Sequence, residues 1–283
     1  MASVENTKNN LKFTLGRKID IHYPTNRWLL IIMLLIASIV SLISGSVKEG
    51  IYTGVGFFFA WALTREIDPP KEYSAFISGF LSLVLIFFYD GVNLAPMFFI
   101  LLTIRFISGI TGYKPTYVDI LSLILLAGFL TYSRENPVYF LILFLMFMFS
   151  YSRYSKDKIY LFSSVIALLI SIVSSYFYKT EEILSSVPFN WKIFSIFAVL
   201  ILLASFFLIS SLNKEKGIED DLGGTIQAKV IVKALTFYII SIILILAFEK
   251  ISQSTQIILL STIVGAAVGR SLGISGVKKK RPL

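Results

Sequence analysis

"LILFLMFMFS", residues 141–150, decides the fold class of this chain. The stretch is apolar on every side and lacks the in-and-out alternation of a membrane β-strand. Such a run has no water to bond its backbone, so its amides and carbonyls must satisfy one another, which a helix does within one segment. Runs of the same character recur at 28–45, 51–64, 75–89, 95–110, 118–132, 137–151, 159–178, 192–212, 230–248 and 256–272. Several fall short of the ~20 residues that cross ~30 Å of hydrocarbon. Those helices are expected to extend into their flanks, or the bilayer to thin around them. The expected fold is all-α: a polytopic transmembrane bundle of about ten helices.

Composition agrees. The 283 residues are 56% hydrophobic and 15% charged, with a mean hydropathy of +0.79. Soluble domains carry roughly 25% charged residues. There are no cysteines, so disulfides, thiolate nucleophiles and cysteine metal sites are excluded. The one histidine, His22, lies in a polar tail. A histidine-rich metal site and a histidine base inside the membrane are therefore excluded too, and no cofactor is expected. The net charge of +9 fits cytoplasmic loops and anionic lipid rather than nucleic acid. The first 27 residues are polar and basic and no small-residue cleavage site follows, so the first apolar run reads as a retained helix.

Basic residues sort the loops. With the N-terminus cytoplasmic, 19 lysines and arginines fall in inside segments and 5 outside, the latter being Lys48, Arg134, Lys179, Lys192 and Lys250. The positive-inside rule then places both ends in the cytoplasm and the protein in the cell (inner) membrane. The domain reading is a basic N-terminal tail (1–27), a four-helix unit (28–114), a connecting pair (115–158), a second four-helix unit (159–276) and a basic C-terminal tail (277–283). Both basic tails are expected to meet anionic lipids, Lys278, Lys279, Lys280 and Arg281 at about 1 kcal/mol each. The bilayer is the expected partner, and the sequence specifies no oligomeric state.

The four-plus-two-plus-four division rests on an internal echo. "RFISGITGYKP" (105–115) closes the fourth segment and "RSLGISGVKKK" (270–280) the tenth. "LTRE" (63–66) and "LNKE" (212–215) end the second and eighth. Repeats offset by six spans share orientation, so a duplication of helices 1–4 as helices 7–10 would be parallel. Gly265, Gly269 and Gly273 recur every four residues and are expected to form a close helix-packing face.

"WALTREIDPPKEYSAF" (61–76) interrupts the apolar pattern with charge and two prolines, which end the preceding helix. Arg65, Glu66 and Asp68 stand there, Arg105 at the end of the fourth helix, and Lys114 and Asp119 at the start of the fifth. These six form a candidate polar cluster on the cytoplasmic side, as a substrate site or gate. Asp90 and Glu249 are candidates at the outer ends of helices three and nine. No P-loop, GxSxG, HExxH or prenyltransferase-type aspartate motif is present. No catalytic residue or metal ligand is assigned, and the three acids of "IEDDLGG" read as a solvated loop. In helix count and cytoplasmic ends the chain resembles compact drug and metabolite carriers, in topology alone. The expected function is transport of a small solute or lipid. The alternatives are a lipid-phosphate enzyme facing the cytoplasm and a non-catalytic membrane scaffold.

Overall fold

The structure, a computed structural model, describes residues 12–17, 20–84, 91–154, 157–178, 191–215 and 217–273, with the backbone alone over 191–200. Ten helices lie among the described residues: α1 (Pro24–Ser44), α2 (Val47–Ile67), α3 (Ser74–Ser82), α4 (Leu94–Ser108), α5 (Tyr117–Arg134), α6 (Val138–Arg153), α7 (Lys158–Phe177), α8 (Trp191–Leu212), α9 (Ala228–Phe248) and α10 (Gln253–Ser271). A two-stranded hairpin, β1 (Ile218–Glu219) and β2 (Thr225–Ile226), precedes α9. The helices fall on the ten apolar segments. Four of them, α1, α5, α7 and α9, are long and apolar enough to cross a membrane. The chain is thus all-helical apart from the hairpin, with the character of an integral membrane protein.

Local chemistry sets the boundaries. Pro24 opens α1, where its missing N–H costs nothing. Gly45 closes it with φ 69°, a left-handed conformation that glycine adopts without a Cβ clash. Ser46 caps α2 by accepting from the Glu49 amide, and Ser252 caps α10 by accepting from Thr255. Thr116 and Asp119 form a reciprocal capping box on α5. Each such cap is worth about 1 kcal/mol.

The chain divides into two compact units that do not follow chain order. The first gathers residues 12–17, α4 to α7, the chain from Glu219 and α9. Its centre is α4, buried almost continuously from Pro96 to Ser108 and packed on α5, α6 and α9. A helix apolar all round belongs inside. Phe106 meets Phe147 and Tyr160 edge-on, each at 5.8 Å, and Phe99 meets Tyr139 at 5.7 Å. On α5, Leu121, Leu125 and Phe129 stand exposed on one face; on α7, Phe162, Leu169, Val173 and Phe177 are exposed. Continuous apolar faces of this size suit hydrocarbon and not water.

The second unit gathers α1, α2, α3, the chain from 197 to 218, and α10. α1 presents Leu34, Leu35, Ile39, Leu42 and Ile43 outward and packs its other side on α2. α2 in turn packs on α3 and α10. Gly265 and Gly269 give α10 its contact with α3: a side chain at Gly265 would run into the backbone of Ser78, and one at Gly269 into Ser74. Gly273 does not share that face. It lies past the helix end at φ 65°, with no atom of the described residues within 4 Å of where a Cβ would stand, because α10 stops at Ser271 and the backbone turns left-handed.

Gly269→Val is expected to destabilise the protein by about 1–3 kcal/mol through overpacking. Gly273→Ala should cost only about 1 kcal/mol, for its left-handed backbone. Thermal unfolding in detergent, followed by far-UV circular dichroism, reads the difference.

Candidate functional site

The six polar residues of the candidate cluster separate into two groups, three in each unit. In the second unit, α2 ends on Thr64, Arg65, Glu66 and Ile67, and Asp68 takes the position after its last turn. Asp68 Oδ1 accepts two hydrogen bonds from Arg270, from Nε at 2.9 Å and Nη2 at 2.6 Å. Both side chains are almost wholly buried. The other nitrogen of the fork, Nη1, donates to Ser211 Oγ at 2.9 Å and Glu215 Oε1 at 3.3 Å. One guanidinium therefore joins the ends of α2, α8 and α10. Burial pushes the Asp68 carboxyl up from its usual range, against the pull of Arg270.

Arg65 pairs with a different acid. Its Nη1 lies 3.0 Å from Glu72 Oε1, and its guanidinium stacks over Trp61 at 5.5 Å. The Tyr23 hydroxyl donates to the same Glu72 carboxylate at 2.7 Å. Glu66 is fully buried. The prolines at 69 and 70 end α2 so that Glu72 can return beside Arg65 one turn of chain later.

In the first unit, Asp119 is a hub. Its carboxylate accepts from the Thr14 amide at 2.8 Å, the Thr14 hydroxyl at 2.6 Å and the Thr116 amide at 2.7 Å. Thr116 Oγ1 donates to the Lys12 carbonyl at 2.7 Å, and Arg105 Nη1 to the Leu15 carbonyl at 3.3 Å. Leu15 is buried. Arg17 Nη2 reaches Asp221 Oδ1 at 2.6 Å. The tail segment 12–17 is strapped to this unit by two of the candidate site residues, Asp119 and Arg105. A polar, basic tail carries no periodic signal for such docking; the only hint was Leu15 amid charges.

Lys114 stands apart, exposed, with Asp157 Oδ2 at 3.2 Å. That hydrogen bond holds the Asp157 carboxyl below its usual range. Nearby, the left-handed turns at Gly109 and Gly112, the hairpin and the end of α6 border an open cavity of about 380 Å³. Arg153, which sequence reasoning counted only as a loop charge, lines it. So Arg270 and Arg153 are the two residues the candidate cluster lacked. The echoed helix ends at 105 and 270 pointed to the first, and nothing in the pattern pointed to the second.

At the other end of the first unit, Glu249 follows α9 and is buried, with Arg134 Nε at 4.0 Å. The Asn136 amide donates to the Phe248 carbonyl beside it. Burial pushes the Glu249 carboxyl up to about 7, with Arg134, Tyr139 and Asn136 pulling against it. Asp90 and the basic residues 278–281 lie outside the described residues. Among the described residues, no three acids or histidines converge as a metal site.

Asp68→Ala leaves Arg270 buried without its main counter-charge, and a loss of about 3–5 kcal/mol is expected by thermal unfolding. Asp119→Ala should leave the helices folded but free the tail, seen as faster tryptic cleavage at Lys12 and Arg17. The Glu249 carboxyl, raised on folding, favours the folded state fully below about pH 4.5. That contribution is lost as pH rises through about 7. Glu249→Gln should flatten the pH dependence of the unfolding temperature across this window.

Comparison with family models, curated proteins and solved structures gives no match for this chain.

Proposed function

We propose that the chain spans the cell membrane ten times, with both ends in the cytoplasm, and carries a small solute or lipid across it. The 19-to-5 split of basic residues supports the orientation. The echoed helix ends support a parallel duplication: Arg105 and Arg270 each stand in the last turn of a helix, and left-handed glycines follow both.

The observation that carries transport is the Arg270–Asp68 pair. Buried ionisable groups in a membrane protein are expensive, and a chain keeps them where they act on a pathway or a gate. This pair joins three helix ends through one guanidinium, so neutralising or displacing a single charge would release all three. Beside it, α10 lies on α3 across glycine and serine, Gly265 against Ser78 and Gly269 against Ser74. A cytoplasmic gate needs both features. The metal-dependent enzyme reading lacks a converging set of acids among the described residues.

The absence of native cysteine makes the test clean. Single cysteines at Lys48 and Lys71 should be labelled by a membrane-impermeant maleimide from outside and from inside, respectively. A cysteine at Ser74, fully buried against Gly269, should be protected in the parent protein. It should label from the cytoplasm once Asp68→Asn weakens the pair. Protection unchanged in a folded Asp68→Asn protein would make the pair a static tie and remove the gate.

A further inference from the structure

The cavity of the first unit has a chemistry that the gate does not use. It lies where the turns after α4, the last turn of α6 and the chain entering α9 come together. Its volume of about 380 Å³ falls within the range of small-molecule sites. Among its lining groups are Arg153, Lys114, Tyr113, Thr225 and Gln227, all able to donate a hydrogen bond.

Arg153 is the decisive group. It is half-buried, and among the described residues no carboxylate pairs with it. Its Nη1 donates to the Ile107 carbonyl and its guanidinium stacks over Tyr154 at 4.8 Å. Gly109 makes room for it, since a Cβ there would stand 2.8 Å from Arg153 Cζ. The guanidinium is thus held in one place by a carbonyl, an aromatic ring and a glycine, none of which neutralises it. A half-buried cation without a counter-charge is incompletely hydrated, and an anion supplied from outside would complete its pairing. Lys114 adds a second, mobile cation at the rim. The one acid in the lining, Asp220, has its Oδ1 engaged by the amides of Leu222 and Gly224 and serves its own turn.

We propose that this cavity binds a phosphate ester. Arg153 meets the phosphate oxygens with the fixed fork that suits them. Lys114 swings from Asp157 to complete the charge, and the Thr225 hydroxyl and Gln227 amide hold the oxygens of the alcohol part. On the orientation proposed above, the cavity opens at the inner leaflet. The ester is then either the headgroup of an anionic phospholipid or a free cytoplasmic metabolite. This inference names a ligand class for the proposed membrane carrier, but binding is read on the purified protein whether or not it transports.

Two arms separate the sources, both on the full-length protein in non-ionic detergent. Isothermal titration with sn-glycerol 3-phosphate reads the free ester. Native mass spectrometry after extraction from mixed phosphatidylglycerol and phosphatidylcholine vesicles reads the headgroup. The expected result is saturable binding, or preferential retention of phosphatidylglycerol, weakened about tenfold or more by Lys114→Ala and by Arg153→Gln. Binding in the first arm assigns a soluble ester; retention in the second alone assigns a lipid. Lys114 is exposed, so its variant folds and decides the matter even where Arg153→Gln does not. No binding in either arm, or binding that Lys114→Ala leaves unchanged, overturns the proposal.

Discussion

Inside hydrocarbon a peptide group has no water to bond, and this constraint organises everything else in the chain. It makes the long apolar runs helical and drives charge to the helix ends. There the charges have two outlets, solvent or one another. Arg270 and Asp68 take the second, in full burial. Arg65 and Glu72 do so nearly as completely. Replacing such pairs with apolar side chains often costs nothing in stability. Removing one partner of such a pair is the costly change, because it leaves the other charge buried alone.

The first unit solves the same problem with backbone partners. Asp119 could have faced solvent as an ordinary first-turn acid, favoured there by the helix dipole. It gathers the Thr14 amide and hydroxyl instead, while Arg105 takes the Leu15 carbonyl. The consequence is economical: the same residues that cap α5 and finish α4 also dock a polar tail. Arg153, half-buried, is met by the Ile107 carbonyl and the Tyr154 ring, and among the described residues no carboxylate pairs with it.

Packing follows from the same absence of water. Lipid tails give no hydrophobic drive for one helix to join another, so close contact must come from shape. Glycine in α10 against serine in α3 supplies it in the second unit. Edge-on aromatic contacts around Phe106 supply it in the first. Outward, both units show leucine, isoleucine and phenylalanine.

The sequence alone determined the class of molecule, the places of the ten described helices, and the loops in which charge would gather. These follow from hydropathy, prolines and caps, which act over a few residues and leave a local pattern to read. It also marked Asp68, Arg65, Asp119 and Glu249 as unusual, because an acid or base near an apolar run is rare. Only the tertiary structure decided their partners. Arg270 lies 202 residues from Asp68, and Thr14 lies 105 from Asp119. Such pairings depend on which helix ends packing brings together, and no periodicity along the chain records that. The cavity around Arg153 is of the same kind, since what surrounds a charge in space is not written along the chain.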